Sequence, residues 1–92
     1  MIALGDKPRP CVEVVAQEAS GSLLLLHVQT GQYYSLEGVG GRIWRLCDGS
    51  LNVDDLVTLI SVEYAIPRPT VADDVIDVLS QLVEEGLMAR GD

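Results

Sequence analysis

Basic residues are scarce in this chain. Six lysines and arginines stand against 14 acids, for a net charge of −8. Non-specific nucleic-acid binding depends on neutralising phosphates, so this balance argues against it. It suits a neutral or basic partner. Histidine occurs once, as His27. No nucleophile or carboxylate stands at a recognisable spacing from it, so it reads as a structural or exposed side chain rather than as a catalytic base. The only two cysteines, Cys11 and Cys47, are far apart and lack metal-ligand spacing. A zinc site needs three or four ligands. No metal is expected, and both thiols are expected to be reduced and structural. Long apolar runs are also missing. Leu23–Leu26 and Leu56–Ile60, the latter interrupted by Thr58, are far too short to span a bilayer. The segment from Met1 to Cys11 has no apolar h-region and no small-residue cleavage site. No signal peptide is read there, and a cytoplasmic setting away from membranes is the expectation.

What remains is a chain of 92 residues, 48% hydrophobic, which is one domain with a modest core. Pro8 and Pro10 mark residues 1–10 as a flexible N-terminal arm, leaving 11–92 as the domain. Cys11–Glu18 carries Val12, Val14 and Ala16 in alternation, a strand pattern. Ala19-Ser20-Gly21 is turn chemistry. Ser22–Gln29, with four consecutive leucines, suits a strand covered on both faces. Thr30-Gly31 turns the chain into a third strand, Gln32–Leu36. The three strands should form an antiparallel meander. Tyr34 and Leu36 should face the core, with Tyr33 nearer solvent or a ligand.

The period then lengthens. Gly38–Cys47 reads as a short helix with Trp44 as a core anchor, ended by Asp48-Gly49. Asn52 with Asp55 is a cap for a second helix bearing Val53, Leu56, Val57, Ile60 and Tyr64. Pro67 and Pro69 separate it from a third helix, Thr70–Glu85, which Thr70 and Asp73 should cap and Gly86 should stop. Leu87-Met88-Ala89 reads as a tail packed on the core. Strands followed by helices give an α+β fold. The last helix has one apolar stripe at Val71, Val75, Val78 and Leu82. A second, beside it, is formed by Ala72, Ile76, Leu79 and Val83. Their arc of roughly 160° exceeds what docking on one core requires. Either both stripes are core, or the second borders a groove.

No catalytic constellation emerges. Gly38-Val39-Gly40-Gly41 opens a helix as a phosphate loop would, but no Lys-Ser or Lys-Thr follows it. The glycines read as a sharp strand-to-helix turn, and no cofactor is expected. Asp54-Asp55 and Asp73-Asp74 sit in first helical turns, where carboxylates favour the helix dipole.

Gly31-Gln32-Tyr33-Tyr34-Ser35-Leu36 is followed by Ile43-Trp44-Arg45-Leu46-Cys47-Asp48-Gly49, Val53-Asp54-Asp55-Leu56, Tyr64, Asp74-Val75, Leu79, Leu82 and Glu85-Gly86-Leu87. In order and spacing, these segments resemble the PqqD-like family, also called the RiPP recognition element, over residues from about 12 to 89. The resemblance implies a winged helix-turn-helix, in which a three-stranded antiparallel sheet precedes three helices. It implies a non-catalytic protein that binds the leader of a ribosomally made precursor peptide. The leader would add as a strand to Gln32–Leu36 and lie against Thr70–Glu85. The implied contacts are Gln32, Tyr33, Tyr34, Ser35 and Leu36 on the strand. On the helix they are Ala72, Asp73, Ile76, Asp77, Leu79, Ser80 and Val83. Gln29-Thr30-Gly31 stands where members devoted to PQQ synthesis carry a Pro-Glu element. The chain is thus more similar to the stand-alone proteins of lasso-peptide pathways, whose partners are a separate leader peptidase and a cyclase. A peptide chaperone for a radical enzyme is the alternative. A DNA-binding winged helix fits poorly, because Val71–Glu85 has five acids and no lysine or arginine.

Overall fold

The computed structural model describes residues 2–91. Its main sheet is an antiparallel meander of β2 (Val14–Ala19), β3 (Ser22–His27) and β4 (Tyr33–Glu37), in spatial order β2-β3-β4. Ser20 and Gly21, at φ 51° and 85°, join β2 to β3. Two consecutive positive φ values form the primed turn whose twist matches a tight hairpin. Between β3 and β4, Nδ1 of His27 accepts from the backbone N–H of Thr30 at 3.4 Å, so the histidine stands in the turn. The four leucines alternate. Leu23 and Leu25 are buried, whereas Leu24 is 36% exposed. The sheet is therefore covered on one face, not on both as the continuous run suggested.

Helices α1 (Val39–Leu46), α2 (Val53–Tyr64) and α3 (Arg68–Glu84) cover that face. Trp44 and Ile43 from α1, and Leu56, Val57 and Ile60 from α2, join Leu25 in the core. Gly41 is buried where α1 meets β4, and a Cβ there would make ordinary contact with the Leu36 carbonyl oxygen, at 3.7 Å. The Asn52–Asp55 capping box is present. Asp55 N–H donates to Asn52 Oδ1 at 2.8 Å, and Asn52 N–H donates to Asp55 Oδ2 at 3.4 Å.

The start of α3 differs from expectation. The helix begins at Arg68 after Pro67, and Thr70 lies inside it without capping it. Pro69 fits the first turn, where a missing N–H costs nothing, so two prolines that resemble a break act as a helix start. At the other end Gly86 is left-handed, at φ 76°. Gly86 N–H donates to the Val83 carbonyl and Leu87 N–H to that of Leu82, which closes a Schellman motif.

The N-terminal segment is packed rather than loose. A short strand β1 (Arg9–Pro10) pairs antiparallel with β5 (Met88–Ala89). Ile2 is buried in the core. The carbonyls of Leu4 and Asp6 accept from the free N–H groups of Asp54 and Val53 at the start of α2. Asp6, 5% exposed, accepts from Ala3 N–H at 2.9 Å and from Arg90 Nε at 3.3 Å. The Ala3 hydrogen bond, with Arg90 behind it, holds the Asp6 carboxyl below its ordinary pKa. The partners that fix this arm lie up to 84 residues away, so no local pattern announces them. No helix among the described residues is long and apolar enough to cross a membrane.

Candidate peptide-binding cleft

β4 is an edge strand, and its hydrogen-bonding parity decides what the edge offers. His27 N–H donates to the Gln32 carbonyl at 3.0 Å, and the register pairs Leu25 with Tyr34 and Leu23 with Leu36. Hydrogen-bonded pairs recur at every second residue of an antiparallel ladder. Tyr34 and Leu36 therefore turn their backbone groups towards β3. Those of Tyr33, Ser35 and Glu37 point outward, and no other element among the described residues pairs with them. Side chains alternate the other way. Tyr34 and Leu36 pack on the core, whereas Tyr33 is 71% exposed.

Beside this open edge lies a cleft of about 220 Å³ between β4 and α3. Leu36, Val78, Leu82 and Leu87 give it apolar surface, and Tyr34, Ser35, Gln81 and Glu85 complete the lining. The Tyr34 hydroxyl lies 3.1 Å from Glu85 Oε2 and 2.8 Å from Gln32 Oε1. Its single hydrogen serves one acceptor at a time. Burial and the Glu85 carboxylate together raise the phenol pKa, so it stays a donor. The opposite edge of the sheet, at β2, borders a shallower hollow of about 650 Å³. Arg45 there is already paired with Glu18.

Of the residues expected to contact a peptide, the cleft brings together Tyr34, Ser35 and Leu36, with Gln32 joined through the Tyr34 hydroxyl. Tyr33 offers its backbone at the edge. The helical set lies elsewhere. Leu79 is 0% exposed and belongs to the core. Val83 and Ser80 border a different hollow, with Ile2 and Glu84. Ala72 and Ile76 share the Val83 flank of the helix, and Asp73 and Asp77 are exposed outside the cleft. The helical wall is Val78, Gln81, Leu82 and Glu85. The apolar arc of α3 has two edges, and sequence spacing alone does not say which one faces β4.

The coenzyme PQQ synthesis protein D (PqqD) family model matches residues 22–88. The chain belongs to the PqqD family. It is 33% identical over 55 residues to the PqqA binding protein of Gluconobacter oxydans (strain 621H), covering 60% of this chain and 57% of that protein. The match thus spans little more than half of the relative's length. Among solved structures, TbiB1 in complex with the TbiA(beta) leader peptide superposes with a TM-score of 0.80 at 36% identity. That match covers 87% of this chain and 93% of TbiB1. Lasso peptide synthetase B1, complexed with its leader peptide, gives a TM-score of 0.80 at 24% identity and supports the fold. It covers 90% of this PqqD-family chain and 98% of that chain.

Proposed function

We propose that this chain is a non-catalytic module that captures the leader segment of a ribosomally made precursor peptide. The leader adds as a strand to β4 and lies against α3. The carrying observation is the unpaired edge of Tyr33, Ser35 and Glu37 running beside the apolar cleft. An extended peptide satisfies such an edge through its backbone, and side-chain pockets then supply specificity. The neighbouring structures are leader complexes, which supports the same reading. Gln29-Thr30-Gly31, standing where members devoted to PQQ synthesis carry a Pro-Glu element, favours a lasso pathway, with a separate leader peptidase as the enzyme served and a cyclase downstream. The likeness to the PqqA binding protein favours a second reading, a peptide chaperone in another peptide pathway; the enzyme served would then be a radical enzyme, as the family resemblance implies.

The test is reconstitution. A precursor peptide is incubated with its leader peptidase, with and without this protein, and products are read by mass spectrometry. Rapid leader removal only when this protein is present is the expected result. This protein alone should leave the precursor unchanged. Equal cleavage without it contradicts delivery to a peptidase, and a product formed by it alone contradicts the non-catalytic role.

A further inference from the structure

The cleft carries a charge that no ion pair among the described residues balances. Glu85 is exposed at the C-terminal end of the α3 wall and lines the cleft. Asp74, one turn before Val78, lies on the same flank of the helix. The four ion pairs among the described residues all lie elsewhere: Arg42–Glu63, Arg45–Glu18, Arg68–Asp54 and Arg90–Asp6. Glu85 instead accepts from a neutral phenol, Tyr34. That phenol has a second acceptor in place, since Gln32 Oε1 lies 2.8 Å from the hydroxyl. A cation arriving at Glu85 can therefore displace the tyrosine without leaving its donor unsatisfied, and a charge-assisted hydrogen bond replaces a weaker one.

We infer that the captured peptide carries a lysine or arginine that pairs with Glu85, at a fixed spacing from an apolar residue seated on Leu36, Val78 and Leu82. This rests on the leader-binding reading of the same cleft. Backbone pairing along β4 is nearly indifferent to sequence. The apolar seat and the carboxylate beside it would together set register: a peptide slipped by one residue turns both side chains away from the helix. The carboxylate would also reject a leader with an acid at that position, since like charges brought together at an interface are strongly unfavourable.

Selection from a random peptide library displayed on phage, run on the full chain and in parallel on Glu85→Gln, tests this. The native protein should enrich peptides with a basic residue at constant spacing from an apolar one, and the variant should not. One enriched peptide, synthesised, should bind Glu85→Gln roughly five- to tenfold more weakly and lose most of that difference at high salt. No basic preference, or one that survives Glu85→Gln, overturns the inference. Amide shifts at Tyr33, Ser35 and Glu37 on adding the peptide report strand capture separately. Shifts there without dependence on Glu85 remove this inference and leave the leader reading standing. Binding without shifts on β4 removes both.

Discussion

The Tyr34 hydroxyl lies 3.1 Å from Glu85 Oε2 and so ties the edge strand to the residue that caps α3. The contact reaches across the mouth of the cleft from one wall to the other. The floor between them is apolar, and the strand edge above it is unpaired. An edge and a floor already in place lower the ordering cost of taking in a peptide strand.

Val75, Val78 and Ile76 occupy three different sides of the same turn of α3, so one substitution separates their roles. Val75 is 0% exposed. Val75→Asp should unfold the protein, at more than about 4 kcal/mol, because the charge has no partner in the core. Val78→Asp should stay folded and weaken leader binding by at least about 2 kcal/mol, roughly thirtyfold. Ile76→Asp should stay folded and bind within about twofold of the parent, since its flank faces away from β4. Thermal melts and calorimetric titrations of the three variants check this. Normal binding by Val78→Asp together with loss in Ile76→Asp would move the groove to the other flank.

Asp6 makes the N-terminal segment sensitive to acid. Its carboxyl is held below the ordinary value of 3.8, first by the Ala3 N–H and then by Arg90. The folded state therefore favours the ionised form. That stabilisation is complete above the unfolded value and is lost as pH falls from about 3.8 through the lower folded value. Asp6→Asn should lower the melting temperature at neutral pH and flatten its decline below pH ~4. A decline as steep in the variant as in the parent would assign the acid response to other carboxylates.

Cys47 is 2% exposed, and burial with Asp48 nearby pushes its thiol up to about 12. Cys11 is half-buried and raised less far. Alkylation of the native protein near pH 8 should modify Cys11 first and Cys47 only on unfolding, because the thiolate is the reacting form. Mass mapping of the labelled sites decides it, and early labelling of Cys47 would contradict its placement in the core.

The legible parts of the molecule were those with local causes. Asn52 and Asp55 stand three residues apart, and the capping box follows from that spacing alone. Tyr33 and Tyr34 alternate, and so do their exposures. Trp44 had no partner but the core. The illegible parts depend on placement in three dimensions. Residues 2–10 are held by β5, by Arg90 and by the start of α2, none of them near in sequence. The leucine run of β3 reads as doubly covered until the sheet is seen to have helices on one side. Val78 and Ile76 are equally good candidates for a groove wall until the direction of α3 across the sheet is known. Thr70 with Asp73 matches a capping pattern, but Pro69 favours a start one turn earlier and that signal prevails.

The central claim is strand addition at β4, and amide hydrogen exchange measures it most directly. In the free protein the Tyr33, Ser35 and Glu37 amides point away from β3 and should exchange quickly, while Tyr34 and Leu36 are protected by the ladder. Saturation with leader peptide should protect Ser35 and at least one of its two outward-facing neighbours, Tyr33 and Glu37. Those amides remaining as fast as in the free protein, with the leader demonstrably bound, would contradict the account.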